Sequence, residues 1–135
     1  MNFPKVDIRS AIKTALTAGC TYPVYDIPVP EAVNYINIQA IRLSEDTAQT
    51  LPVYDCYITI EIISKFQKTG NRTNGDTQAE LVDTAMRPTI TGGIVVSGWD
   101  MAGCWLDSQD EYLSNDADGK THRIVMSYFI KYCKS

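Results

Sequence analysis

Between residues 7 and 18 the apolar side chains Ile8, Ala11, Ile12, Ala15 and Leu16 recur at three- and four-residue spacing, with Arg9 and Lys13 on the other side. That pattern predicts an amphipathic helix. Asp7 stands where it can cap the start, and Gly19 where a left-handed residue would end it. Pro23, Pro28 and Pro30 follow, so only a short extended piece fits around 22–27. Ile36, Ile38 and Ala40 then alternate with Asn37 and Gln39 before the phase slips to Ile41 and Leu43. A strand with a bulge near Ala40 is the expected result.

The strongest alternation comes next. Tyr54, Cys56, Ile58, Ile60 and Ile62 form one face of a strand, expected in the core, while Asp55, Tyr57, Thr59, Glu61 and Ile63 form a mostly wet face. Residues 67–76, QKTGNRTNGD, hold no apolar side chain and two glycines and read as an exposed mobile loop. Asp76 is placed to cap a second helix, in which Gln78, Leu81, Val82, Ala85 and Met86 share a face until Pro88. From residue 94 onward extended patterns return. A glycine-interrupted segment leads to a polar turn at 115–120, and Ile124, Met126, Tyr128, Ile130 and Tyr132 then alternate with Val125, Ser127, Phe129 and Lys131. The order helix, strands, helix, strands predicts an α+β fold, an antiparallel or mixed sheet with both helices against one face. At 135 residues the chain is expected to form a single domain spanning 1–135, and no internal repeat interrupts it.

Composition narrows the function classes. With 44% hydrophobic and 21% charged residues the chain is neither disordered nor fibrous. Twelve Lys and Arg against sixteen Asp and Glu leave a net charge of −4, the wrong sign for a protein that binds by neutralising phosphates. No apolar run reaches membrane-spanning length, and the start of the chain lacks the apolar core of a secretory signal, so no membrane partner is expected and a cytoplasm is the expected compartment. The sequon Asn71-Arg72-Thr73 then carries no glycan. Cys20, Cys56, Cys104 and Cys133 are widely spaced and accompanied by a single histidine, His122. Free thiols are expected, and a cysteine zinc site is not.

Candidate chemistry is sparse. Aligning Asn115, Asp116, Asp118 and Gly119 with a calcium loop puts Val125 where a bidentate glutamate belongs, so a polar hairpin turn is the better reading. Asp107, Asp110, Glu111, Asp116 and Asp118 cluster but read as a solvated face. His122 has no sequence neighbour suited to a catalytic dyad, and Thr91-Gly92-Gly93 is too short for a phosphate loop. No catalytic residue, cofactor site or metal site is expected. Trp99 and Trp105, in a glycine-containing segment, divide between core and interface. Lys68, Asn71, Arg72 and Asn74 in the polar loop are candidate partner contacts, with the two tryptophans.

The whole pattern resembles the tail terminator, or tail-completion, proteins of tailed bacteriophages, also called head–tail joining proteins. The likeness covers nearly the full chain. It is carried by an opening helix (IRSAIKTAL), a proline-flanked segment (YPVYDIPVP), a strand (NYINIQAI), a long central strand (YDCYITIEIIS), a helix (AELVDTAMRP) and a terminal strand (HRIVMSYFIKY). The resemblance implies a non-enzymatic virion protein of the neck or tail, assembled in the host cytoplasm as a ring, commonly hexameric. That ring caps the tail tube, ends its polymerisation and meets the neck or head-completion protein while DNA passes without specific binding. A second function class stays open beside it: a small cytoplasmic α+β enzyme or ligand-binding domain with its site near Trp99, Trp105 and the acidic residues of 107–118.

Overall fold

A computed structural model describes residues 5–27, 34–45, 53–66, 73–87, 94–116 and 119–134. Two helices and five strands follow in the order α1 (Lys5–Gly19), β1 (Val24–Tyr25), β2 (Asn34–Glu45), β3 (Val53–Phe66), α2 (Thr73–Met86), β4 (Trp99–Asp116) and β5 (Gly119–Lys134). The strands form one mixed sheet in the order β1-β2-β3-β5-β4. β1 runs parallel to β2 and every other pair is antiparallel. The helices pack on each other and on one face of the sheet, as the α+β pattern predicts.

β3 is the centre of the sheet, paired along its length with β2 and β5. Its predicted core face, Tyr54, Cys56, Ile58, Ile60 and Ile62, is buried throughout. Cross-strand neighbours continue the same face, Ile36, Ile38 and Ile41 on β2 and Ile124, Met126, Tyr128, Ile130 and Tyr132 on β5. The register between β2 and β3 shifts between Ile38 and Ala40, where the hydrophobic phase slips. A bulge there keeps both Ile38 and Ile41 pointing into the core. Onto this face α1 lays Ile8, Ile12 and Leu16, and α2 lays Ala79, Val82 and Met86.

Several local expectations are overturned by tertiary contacts. The second face of β3 is less wet than alternation suggests, because Glu61 and Ile63 are buried. Glu61 is ion-paired with Arg123, whose guanidinium also stacks on Tyr112 at 5.4 Å, so the arginine stem shields this patch. α1 begins at Lys5, which puts Asp7 inside the first turn, where its charge favours the helix dipole, instead of at the cap. Gly19 does not adopt a left-handed conformation. A Cβ at Gly19 would lie 3.0 Å from the Cβ of Ala85, so close approach of α1 to α2 is its constraint. α2 begins at Thr73, three residues before the expected cap Asp76, and absorbs the end of the segment read as a loop. The reason lies at Gly75, where a side chain would come within 2.6 Å of His122 Nδ1. The glycine that looked like a turn signal lets the first helical turn seat against that ring.

Gly98 takes the left-handed φ of 84° that a tight turn demands, and the Trp99 N–H donates to the Val96 carbonyl at 3.1 Å as β4 begins. All four cysteines are free. Ile60 lies between Ile38 and Met126 at the middle of the sheet with no exposed surface. Ile60→Ala is expected to lower stability by about 2–5 kcal/mol, measured as a lower urea midpoint with an unchanged slope.

Candidate functional site

Of the candidate contact residues, Lys68, Asn71 and Arg72 lie outside the described residues. Asn74 is exposed in the first turn of α2. Trp99 and Trp105 point to opposite faces of the sheet. Trp99 packs on the core, its ring 5.3 Å from that of Tyr54 and 5.1 Å from Lys134 Nζ. Trp105 stands on the face away from the helices and is 49% exposed. A shared cleft between the two indoles, as the ligand-binding reading requires, does not form.

Trp105 instead closes a row that crosses four strands. The register aligns Arg42 of β2, Tyr57 of β3, Phe129 of β5 and Trp105 of β4. The Arg42 guanidinium sits 5.6 Å from the Tyr57 ring centre, Tyr57 lies 5.1 Å from Phe129, and Phe129 lies 5.4 Å from Trp105. Gly103 leaves room for the indole, since a Cβ there would meet its Cη2 at 2.5 Å. Such a row is rigid, apolar and wet on one side, which suits contact with another protein surface. The sequence reading found only its last member. The usable signal was the alternation itself, which put Tyr57 and Phe129 on outward-facing positions.

On the helix side, α2 rests over β3 and β5, and a cleft of about 450 Å³ opens toward β4, lined by Asp76, Glu80, Asp83, Leu106, Gln109 and Met126. At its inner wall Asp83 accepts hydrogen bonds from Tyr128 Oη at 2.8 Å and from Arg87 Nε at 2.7 Å. At the far end of β5, His122 is buried and its Nε2 lies 2.6 Å from Glu111 Oε1. Asp76, Glu111 and His122 come from α2, β4 and β5, and their donor atoms lie within 4.8 Å of one another. Residues 76, 111 and 122 are too far apart in sequence for spacing to reveal this cluster. Burial pushes the Cys20, Cys56 and Cys104 thiols up to about 11, 12 and 11, so at neutral pH they are protonated, poor nucleophiles and poor metal ligands.

Burial alone would raise the Asp83 carboxyl, but the hydrogen bonds from Arg87 and Tyr128 outweigh it and hold the group below its ordinary value of 3.8. A carboxyl more acidic in the folded chain contributes stability above its unfolded value and loses it as pH falls through the folded one. Asp83→Asn is therefore expected to destabilise at pH 7, and the gap to wild type should close progressively below pH 3.8. Urea titrations of both proteins at stepped pH measure that gap.

The sequence matches no family model and no curated protein. Twenty-four chains of known structure are similar in fold. One of them, described as the virion of a native gene transfer agent (GTA) particle, has a TM-score of 0.65 over 96% of this chain and 93% of its own, at 15% sequence identity. At that identity the likeness is one of fold.

Proposed function

We propose that the chain is a structural, non-enzymatic subunit of a phage-like virion. In this reading it forms a ring, hexameric in the tail terminators that its sequence resembles, at the junction of tail and neck. The ring caps the tail tube, stops its growth, meets the neck protein and lets DNA through its centre. The observation that carries the reading is the likeness of fold, over nearly the whole of both chains, to a component of a gene transfer agent particle.

The sheet supplies the geometry that such a ring needs. β4, 18 residues long, is an outer strand with no partner on its far side among the described residues. On the opposite side, among the described residues, β1 pairs with Ile36 and Asn37 of β2 alone. Two different open edges allow a head-to-tail contact, which closes into a ring when the rotation per subunit permits. The exposed row ending in Trp105 adds an apolar anchor beside the β4 edge.

Mass measurement by light scattering across a wide concentration range, with negative-stain imaging, tests this. The expected result is a closed ring, alone or on adding the tail tube protein, and weaker assembly for Trp105→Ala with the fold retained. A strict monomer in both conditions overturns the reading. With a net charge of −4 per chain multiplied around a ring, long-range repulsion favours passage of DNA over capture. Fluorescence anisotropy with a labelled duplex is expected to detect no binding at physiological salt. Tight binding with a steep salt slope would mean that phosphates are being neutralised, and would oppose the conduit role.

A further inference from the structure

We propose that Asp76, Glu111 and His122 form a binding site for a divalent transition-metal cation of the zinc type, pinning the start of α2 to the β4–β5 hairpin. Zinc binds nitrogen and carboxylate oxygen at about 2.0–2.2 Å, so donors on one ion stand within roughly 4 Å of each other. The three donor atoms already lie within 4.8 Å. Asp76 and Glu111 are exposed side chains with room to close the remaining gap.

His122 is the fixed member of the three. Its side chain has no exposed surface, and only one ring nitrogen is engaged, Nε2 with Glu111. Nδ1 is buried with no hydrogen-bond partner. A fully buried imidazole facing two carboxylates is costly to place without a purpose. The ring is also held in place, since the backbone at Gly75 leaves no space for a side chain beside it. A cation entering between Nε2 and Glu111 would replace one hydrogen bond by two coordinate bonds. The proton would then stay on Nδ1, the nitrogen turned toward Gly75.

Charge supports the same occupant. Two carboxylates and a neutral imidazole balance a divalent ion, and Asp76 also lines the cleft beside Glu80. A nitrogen donor with two carboxylates favours zinc, cobalt or nickel over magnesium and calcium, which prefer all-oxygen shells. Water would complete the shell on the exposed side. The bound ion would orient the first turn of α2. The inference holds whether or not the chain assembles into a ring.

Isothermal titration of the chelator-treated full chain with zinc chloride, and separately with magnesium chloride, tests it. One zinc ion per chain is expected, with a raised melting temperature and no effect of magnesium. Asp76→Asn and Glu111→Gln, both at exposed positions, should each fold and weaken zinc binding by about tenfold or more. Where His122→Ala fails to fold, the ring nitrogen signals of His122 in the intact protein supply the third readout, shifting on addition of zinc. Absence of zinc binding by the wild-type chain overturns the proposal. So does binding that both carboxylate variants leave unchanged, which would place the ion elsewhere, for instance on a cysteine.

Discussion

The rest of the structure depends on the need to bury one row of β3: Tyr54, Cys56, Ile58, Ile60 and Ile62. A strand that is apolar on alternate positions over this length cannot rest at an edge, so it must be flanked on both sides and covered on one face. β2 and β5 supply the flanks, and the stripes of α1 and α2 supply the cover. The closeness of the two helices at Gly19 and Ala85 follows from that demand, because a gap between them would uncover the row beneath.

Covering the centre leaves the periphery open. α1 lies over β1 and β2, α2 over β3 and β5, and a cleft separates α2 from β4. Among the described residues, exposed large hydrophobic side chains on β4 are Trp105 and Tyr112, on the face away from the helices, and Leu113, across from His122. Several polar groups at and beneath the helix layer are bonded across elements. Asp83 is held by Tyr128, and the Tyr132 hydroxyl donates to the Ile94 carbonyl at 3.0 Å. Gln78 accepts from the N–H groups of Thr21 and Tyr22, tying α2 to the end of α1. These bonds specify how the helices sit; the apolar stripes alone would tolerate a range of positions.

What could be read from the sequence was what local periodicity controls. The apolar stripe of α1, the core face of β3 and the bulge near Ala40 each depend on near neighbours in the chain, and each stands as expected; on α2 Gln78, Val82, Ala85 and Met86 face inward, but Ala79 takes the core place expected for Leu81. What escaped depends on residues distant in sequence. Gly75 packs against His122, buried Glu61 pairs with Arg123, and Gly19 closely approaches Ala85. The candidate sites divide in the same way. Trp99 and Trp105 are six residues apart, which strict alternation would put on one face, but the irregularity between Met101 and Gly103 reverses the phase and sends them to opposite faces. The Asp76, Glu111 and His122 cluster needs three elements to be placed before its members come together.

The distribution of charge bears on which edges meet in the proposed ring. β4 carries Asp100, Asp107, Asp110, Glu111 and Asp116 and no Lys or Arg. On the opposite flank, α1 and β2 carry Lys5, Arg9, Lys13 and Arg42 against Asp7 and Glu45. Two copies meeting β4 to β4 would set five acids against five, and like charges across a strand pair are destabilising. That contact is also two-fold and ends in a dimer. β4 meeting the α1 and β2 side of the next copy puts unlike charges together and repeats without limit until it closes. The two irregularities in the β4 register, between Met101 and Gly103 and between Leu106 and Ser108, act in the same direction. Bulges twist an edge strand away from flat pairing with its own copy, leaving a contact only for a partner whose edge is shaped and charged to receive it.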